Sequence, residues 1–411
     1  MLDKKKIIYM IIFTIFCIGL AYLLYRVFFA PEKTIAPPTQ TGSELSPGQF
    51  PSADDSDNIP PSETTINTLP ISPTSPTTET ERKIIQPRII TPQVKKEIDS
   101  SIMNVTRDKT GKAKFYDQSD GKFYRLNSNG EIEALSETTF YDVDSVTWSS
   151  INNEAILEYP DGSNIYYNFD TKKQVTLPKH WEDFSFSGTG DKIAAKSLGF
   201  SEENQWLITS DAEGKNIKLI EPMGANADKV EVNWSPSNQV VALSRTGEAL
   251  GSDRQQILLV GLNGENFQGL IVEGRGLVDQ WSPQGEKLLY SVYNARNDYQ
   301  PELWVVNAYG DQIGTNRRLL GLNTWADKCT FENERFVYCG VPSFLETGAG
   351  FARQIADYTT DKLIKIDLES GIKTEIPLNS SHTIDTIFLD STNENIYFTD
   401  KSQNGLFSIE L

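Results

Sequence analysis

The chain has 411 residues, of which 38% are hydrophobic, so it can bury a substantial core. Its formal net charge of −18 at pH 7 argues against a surface that binds nucleic acid or anionic lipid headgroups, because both need clustered Lys and Arg. Two histidines, His180 and His382, and three cysteines support neither a His-rich metal site nor a disulfide-built scaffold. The sequence therefore predicts no metal, no cofactor and no nucleic-acid partner.

The N-terminus has the pattern of a membrane anchor. Residues 1–6 form a short tail that contains Lys4, Lys5 and Lys6, and residues 7–29 form an apolar run. About 20 apolar residues at ~1.5 Å each cross a hydrocarbon core of ~30 Å, and positive charge marks the cytoplasmic flank. A cleaved signal peptide fits less well, because "RVFFA" places phenylalanine where a small residue belongs. We expect an uncleaved single span in the plasma membrane, with its N-terminus in the cytoplasm.

A linker follows the predicted span. Residues 30–81 contain ten of the twenty prolines of the chain amid Ser and Thr, as in "PISPTSPTTETE". Such a segment buries too little apolar surface to offset the entropy of ordering it. The sequence therefore predicts a disordered extracytoplasmic linker between the span and a folded domain at 82–411.

A short phrase recurs through the folded part of the chain. "VNWSPSNQVVALSR" and "DQWSPQGEKLLYSV" lie about 47 residues apart, and weaker copies occur elsewhere. The residues at the head of each turn are Trp148, Phe186, Trp234, Trp281, Phe331 and Leu389. Periods of about 40–50 residues with strand-like units are typical of β-propellers, in which each head aromatic packs between neighbouring blades.

The number of units predicts an all-β propeller of six to seven blades. A further unit without the aromatic begins at Ser101, so we favour seven. The last unit ends at "GLFSIEL" after three strands, and a ring must close to remove its exposed edges. We therefore expect "RKIIQPRII" (residues 82–90) to supply the missing outermost strand, with Pro87 at the edge.

The "WSPxGxxLxY" turns resemble the WD40-like, or PD40, repeats of TolB-type propellers. The whole arrangement of tail, span, Thr/Pro linker and propeller resembles uncharacterised envelope proteins of Patescibacteria-like bacteria. The resemblance covers about three-quarters of the chain. It implies a propeller fold and protein–protein contacts outside the inner membrane, and it implies no particular activity, because propellers host binding, scaffolding and catalysis alike.

Two candidate sites lie in the sixth unit. Cys329 and Cys339 flank a predicted hairpin, and the sequence leaves open whether they form a disulfide or remain two buried thiols. The longest insertion, residues 340–362, contains residue types that are enriched in binding hot spots. These candidate partner-binding residues are Phe344, Phe351, Arg353 and Tyr358. The alternative for the insertion is a surface loop that packs on its own blade.

The function that these observations predict is binding rather than chemistry. We expect a single-pass, membrane-anchored propeller that binds or scaffolds an envelope protein or a surface polymer. The alternative is a propeller enzyme that processes glycosides or peptides with carboxylates in its central channel. No sialidase Asp-box and no G-x-S-x-G motif occur in the sequence, so it assigns no catalytic residue.

Overall fold

A computed structural model describes residues 92–127, 130–265 and 267–411, together with Phe13 and Gly19. The predicted span (7–29), except for Phe13 and Gly19, the predicted linker (30–81) and the segment 82–90 lie outside these residues. In the described part of the chain, no helix is long and apolar enough to cross a membrane.

Residues 92–411 form a seven-bladed β-propeller, which confirms the predicted fold class and the preferred blade number. Each blade is a four-stranded antiparallel sheet. The first strand, β1 (Val94–Ile98), belongs to the last blade. Blade 1 comprises β2 (Ile102–Arg107), β3 (Ala113–Asp117), β4 (Lys122–Leu126) and β5 (Ile132–Ala134). Blade 2 comprises β6 (Ser145–Trp148), β7 (Glu154–Glu158), β8 (Asn164–Asn168) and β9 (Lys173–Leu177).

The middle blades continue the same order from the inside of the ring to its rim. Blade 3 comprises β10 (Trp181–Phe186), β11 (Lys192–Leu198), β12 (Gln205–Asp211) and β13 (Lys218–Pro222). Blade 4 comprises β14 (Val230–Val232), β15 (Val240–Ser244), β16 (Gln255–Gly261) and β17 (Leu270–Val272). Blade 5 comprises β18 (Arg275–Trp281), β19 (Lys287–Tyr293), β20 (Pro301–Asn307) and β21 (Arg318–Leu319).

The last two blades complete the ring. Blade 6 comprises β22 (Cys329–Phe331), β23 (Phe336–Pro342), β24 (Asp361–Asp367) and β25 (Lys373–Ile376). Blade 7 comprises β26 (Ile384–Leu389), β27 (Asn395–Asp400) and β28 (Leu406–Glu410), with β1 outermost. Short 3-10 helices lie in the loops at Glu202–Asn204, Gly224–Lys229, Ala295–Asn297, Gly310–Gln312, Ala326–Lys328 and Arg353–Ala356.

The ring closes between the two ends of the folded domain, but through a different segment from the expected one. The outermost position of blade 7 is occupied by Val94–Ile98, which pairs antiparallel with Leu406–Glu410. The expectation that 82–90 supplies this strand is therefore wrong. Ile98 packs with Val105 and Leu406 in one cluster that joins blades 7 and 1, so the pairing that forms is the one that buries apolar side chains.

The residues at the head of the turns pack against the preceding blade, as the sequence predicts. Phe186, Trp234, Trp281, Phe331 and Leu389 are buried. Trp281, for example, belongs to a cluster with Val240 and Ile257 of blade 4. Trp148 is only half-buried, and its indole Nε1 donates a 2.7 Å hydrogen bond to the Asn104 carbonyl of blade 1. These contacts hold neighbouring blades together.

In blades 2–5, a buried serine follows the head residue and fixes the turn. The hydroxyls of Ser235 and Ser282 accept hydrogen bonds from the backbone N–H of Val240 (3.1 Å) and Lys287 (2.9 Å). Such side-chain bonds stabilise a tight turn between the first two strands of a blade. Gly285 follows at φ +71°, where an added Cβ would lie 2.7 Å from Ser237 N of the neighbouring turn.

Ring closure predicts a large effect of one substitution. Gly405 has φ +111°, and an added Cβ would lie 1.9 Å from the carbonyl oxygen of Ile98 in the closing strand. We expect Gly405→Ala to lower the free energy of unfolding by about 3 kcal/mol or more, since backbone strain adds to a steric clash. Gly371→Ala is the matched control, because Gly371 also has positive φ but open space around it. Equal melting temperatures of the two variants would contradict the prediction.

Candidate functional site

The antiparallel order of the strands divides the loops between two faces of the ring. The turns between the first and second strands, and those between the third and fourth, lie at one end, which we call the turn face. The loops between the second and third strands, and the connections from one blade to the next, lie at the other end, which we call the connection face. The insertion that the sequence singles out joins β23 to β24, so it belongs to the connection face.

The insertion, residues 343–360, is anchored to the ring. Leu345, Ala349 and Ala356 pack in a cluster with Trp325 of the blade 5–6 connection. The backbone N–H groups of Gly348 and Gly350 donate hydrogen bonds to the carbonyls of Asp298 (2.8 Å) and Tyr299 (2.7 Å) in blade 5. The insertion therefore packs on blade 5 as well as on its own blade, and its backbone is held in place.

The predicted binding residues of the insertion divide into two groups. Phe344, Phe351 and Tyr358 are 66%, 63% and 90% exposed, as a binding surface requires. Arg353 instead holds the loop on the ring. Its guanidinium pairs with Asp327 at 2.5 Å and lies 4.9 Å from the ring centre of Trp325. The Arg353 guanidinium therefore anchors the insertion to the blade 5–6 connection.

Exposed aromatic side chains concentrate on the connection face. Among the residues described in the propeller, the exposed aromatics of this face are Tyr141, Phe200, Tyr299, Phe344, Phe351 and Tyr358. Tyr309 is the exposed aromatic on the turn face within the same residues. Three rings form a group, in which Phe351 lies 5.7 Å from Tyr293 and 5.8 Å from Tyr299 between ring centres. A group of rings on a fixed backbone presents apolar area without the entropic cost of ordering it.

The same face carries an excess of negative charge on one side. Its first six loops (99–101, 118–121, 135–144, 159–163, 178–180 and 199–204) contain one lysine, Lys179, and eight carboxylates. These are Asp99, Asp120, Glu137, Asp142, Asp144, Asp161, Glu202 and Glu203. The loops of blades 4–7 are nearly balanced in charge. Such a one-sided field attracts cationic partners and repels polyanions.

Further carboxylates converge on the centre of the ring near this acidic side. Glu158 ends the second strand of blade 2, and burial raises its pKa to about 7, helped by the negative charges of Asp183, Glu182 and Asp144. Asp183 itself accepts a 2.8 Å hydrogen bond from Lys196 and a 3.0 Å bond from the Val232 N–H. A carboxyl group that titrates near neutrality can act as an acid or a base.

Two carboxylates of blades 4 and 5 continue this cluster. The Glu231 side chain is exposed, but desolvation by the surrounding protein raises its pKa, with a further contribution from the charge of Asp183. Burial and the charge of Glu231 raise the pKa of Asp279 well above its usual range. Asn233 donates a 2.8 Å hydrogen bond to Asp279 Oδ2, whereas Oδ1 is buried without a hydrogen-bond partner among the described residues. Neighbouring acids of this kind share protons rather than ionise together.

A central cavity lies beside Asp279. It has a volume of about 340 Å³ and is bounded by the inner strands of blades 1, 5, 6 and 7, including Arg107, Gln280 and Thr386. In the described ranges, no group of three or more His, Cys, Asp or Glu residues is arranged to hold a metal ion. The lining combines charged groups of both signs, Arg107 and Asp279, with apolar side chains such as Phe331 and Phe388.

The two cysteines of blade 6 face each other in register on β22 and β23, as expected from their spacing. Of the two alternatives that the sequence leaves open, the structure has the disulfide, with Cα atoms 4.0 Å apart. Both residues are buried, and Cys329 packs with Leu289 of blade 5. The bond joins the two innermost strands of blade 6, the second of which leads into the insertion.

Sequence reasoning missed the central acids and most of the exposed rings. Glu158, Asp183, Glu231 and Asp279 come from four different blades, so no local pattern brings them together. Phe200 and Tyr299 lie in short loops whose composition is ordinary. The one available signal was position, since both follow the second strand of a repeat, as the insertion does.

Comparisons with known proteins support the fold and nothing finer. No protein-family model matches the sequence, and no curated protein matches it either. The chain is similar in structure to an oligogalacturonate lyase in complex with manganese (TM-score 0.54, 12% identity, 78% of this chain and 93% of that one). It is also similar to an oligogalacturonate lyase from Vibrio parahaemolyticus (TM-score 0.50, 12% identity, 77% of this chain and 93% of that one). A third similar structure is the Cps50 (Swd1) β-propeller domain of Myceliophteria thermophila (TM-score 0.50, 11% identity, 77% of this chain and 99% of that one).

The raised pKa of Glu158 predicts a pH-dependent stability. The folded chain keeps the Glu158 proton up to about pH 7, whereas the unfolded chain releases it near its ordinary pKa of 4.5. The folded state thus binds more protons in this window, and its stability falls as pH rises through it. We expect Glu158→Gln to raise the melting temperature by about 2–4 °C at pH 8 and to leave it unchanged at pH 4.

The control for this experiment is Glu133→Gln, because Glu133 is exposed on the outer strand of blade 1. Scanning calorimetry at both pH values measures the two differences. A stabilisation by Glu158→Gln that is the same at pH 4 and pH 8 would contradict the assignment.

Proposed function

We propose that the chain is a single-pass envelope protein whose propeller binds a partner outside the cytoplasm through its connection face. In this proposal, residues 7–29 span the membrane and 30–81 extend the propeller away from it. The observation that carries the binding function is the concentration of exposed aromatic rings on the connection face, on loops with buried anchors. Aromatic side chains on a rigid backbone are typical of binding hot spots.

The chemistry of the partner follows from the charge of this face. Eight carboxylates and one lysine in the first six loops favour a partner that carries Lys, Arg or amino groups. The rings of the insertion favour a partner that also offers apolar surface. We therefore propose a protein, or an amine-bearing surface polymer, that has a basic region beside an apolar one. The TolB-type resemblance of the repeats is consistent with a protein partner.

The disulfide supports the proposed location. Disulfides persist in oxidising compartments and are rare in the cytosol, where thiols are kept reduced. Cys329 and Cys339 are joined in the structure, and both are buried away from reductants. The uncharged run from Ile7 to Tyr25, with lysines before it, supplies the membrane anchor of the proposal.

A second candidate function is an enzyme that uses the central acids. The observation that favours it is the convergence of Glu158, Asp183, Glu231 and Asp279, together with a Glu158 pKa of about 7. Oligogalacturonate lyases share the fold at 12% identity, which carries no activity to this chain. The binding proposal ranks first because its surface is open, whereas Asp279 is held by a hydrogen bond from Asn233 and Asp183 by an ion pair with Lys196.

The proposed location is tested in native cells. We expect the full chain to sediment with membranes, and to be released by detergent but not by high salt or alkaline carbonate. Protease added outside the membrane should cut within 30–81, because we propose that this Pro-rich segment is extended and accessible. In denatured samples, in which burial no longer protects a thiol, Cys329 and Cys339 should resist alkylation until a reductant is added. Recovery of the chain in the soluble fraction would refute the anchor, and alkylation of both thiols before reduction would refute the oxidising location.

The proposed binding face is tested by site-specific photo-crosslinking in the same cells. A crosslinking amino acid at Tyr358 should capture one partner with a basic surface, whereas the same amino acid at Tyr309 on the turn face should not. We then expect Tyr358→Ala to weaken binding of the purified partner about tenfold, as loss of a hot-spot ring does. Tyr309→Ala is the matched control. Capture from Tyr309 alone would place the partner on the other face and refute the proposal.

A further inference from the structure

A serine, a histidine and an aspartate are aligned at the connection between blades 6 and 7. Ser380 Oγ lies 2.8 Å from His382 Nε2, and His382 Nδ1 lies 2.7 Å from Asp400 Oδ2. Ser380 is exposed, whereas His382 and Asp400 are buried. Each contact has the length of a good hydrogen bond. This is the order of groups with which hydrolases activate a serine: nucleophile, base and orienting carboxylate.

The surroundings fix the orientation of the base. Burial acts to raise the pKa of Asp400, but hydrogen bonds from His382 and from Ser402 lower it below its ordinary value, so the carboxylate stays ionised. The imidazole packs against the rings of Phe398 (5.1 Å between ring centres) and Phe407 (5.0 Å), which also stack on each other. An ionised Asp400 selects the tautomer with the proton on Nδ1. The lone pair on Nε2 then faces the Ser380 hydroxyl.

The histidine–aspartate contact also has a structural role, because it ties the blade 6–7 connection to the end of β27. That role does not need Ser380, whose side chain is exposed and whose other side-chain contact is a 3.5 Å approach to Asn379 Oδ1. A purely structural pair would leave the serine without a preferred partner. The third member of the array therefore calls for a chemical explanation.

Groups that could stabilise a reacting carbonyl lie next to the serine. Within the residues that the structure describes, the backbone N–H groups of Ser381 and His382 have no acceptor. An N–H on the residue after a nucleophile is a usual oxyanion donor. The site also adjoins the insertion, since Thr383 Oγ1 donates a 3.1 Å hydrogen bond to the Thr359 carbonyl. Tyr358, which is 90% exposed, precedes Thr359 in that loop.

We propose that Ser380, His382 and Asp400 form a nucleophilic triad that accepts acyl groups from carboxylic esters. Ser380 Oγ attacks the ester carbonyl while His382 Nε2 takes the hydroxyl proton. The carbon–oxygen bond to the leaving alcohol then breaks, and His382 returns the proton to that oxygen. Water, with His382 again as the base, cleaves the acyl-serine to give the free acid and restores Ser380. Because Ser380 is exposed, the triad suits an ester on a large molecule rather than a small enclosed substrate.

The test uses the full-length chain in detergent and a biotinylated fluorophosphonate, which reacts with activated serines. Phosphonylation of Ser380 forms an Oγ–phosphorus bond and breaks the phosphorus–fluorine bond, so fluoride and the hydroxyl proton are released. We expect a single adduct, which peptide mass spectrometry places on Ser380. Ser380→Ala should abolish the adduct, and the matched control, Ser150→Ala, should retain the wild-type rate, because Ser150 is an exposed serine in a turn of blade 2 on the turn face. We expect Asp400→Asn to slow labelling about 100-fold or more, although this variant still contains Ser380, because the histidine loses the carboxylate that orients it.

Two readouts separate chemistry from folding. The melting temperature of Ser380→Ala should equal that of the wild type, because the hydroxyl is exposed. Para-nitrophenyl acetate should release para-nitrophenol faster with the wild type than with Ser380→Ala. Absence of a Ser380 adduct on folded wild-type chain, or equal labelling of wild type and Asp400→Asn, would overturn the triad. Neither result would affect the proposed binding face, which is tested at Tyr358.

Discussion

The pairing of Val94–Ile98 with Leu406–Glu410 is the constraint on which the rest of the structure depends. Each blade buries its two faces against neighbours, so an open row of blades would leave an apolar face exposed at each end. Closure brings Phe388 and Leu406 of blade 7 against Val105 and Phe115 of blade 1, and all four become buried. The free energy of that burial is available only when residues more than 300 positions apart in sequence meet.

Closure also forces the inner strands together, with a cost in electrostatics. Glu158, Asp183, Glu231 and Asp279 approach one another because their blades are adjacent in the ring. The chain lowers this repulsion in two ways. Lys196 pairs with Asp183, and the pKa values of Glu158, Glu231 and Asp279 rise so that protons replace charge. A cluster that survives at such a cost is a functional candidate, which is why the enzyme alternative stands second.

The repeat and its turns could be predicted from the sequence, whereas the contacts between repeats could not. Trp234, Ser235 and Pro236 lie within one short phrase, so their turn and its packing could be predicted from local pattern. The closing strand could not be predicted, because "RKIIQPRII" is more apolar than "VKKEI", and only the register with β28 selects Val94–Ile98. Register is a property of two segments together.

The candidate sites follow the same division. Phe344, Phe351 and Tyr358 could be found because a long insertion within a repeat is visible in the sequence. Ser380, His382 and Asp400 could not be found in this way. Asp400 ends β27, whereas His382 precedes β26, and no local sequence pattern relates the two residues. The sequence signal for this site was the small number of histidines. Because the chain has two, any serine triad that uses a histidine had to contain His180 or His382.

The physics of the two faces explains why both candidate sites share one of them. Turns on the turn face touch each other across blades: a Cβ on Gly188 would lie 2.5 Å from the Pro236 carbonyl oxygen, and one on Gly285 2.7 Å from Ser237 N. An insertion in these turns between first and second strands would therefore push neighbouring blades apart. The loops between second and third strands vary widely in length, from 118–121 in blade 1 to 343–360 in blade 6, and the ring keeps its seven blades. Lengthening of these loops thus leaves the ring intact, so new contacts and new chemistry can accumulate on the connection face.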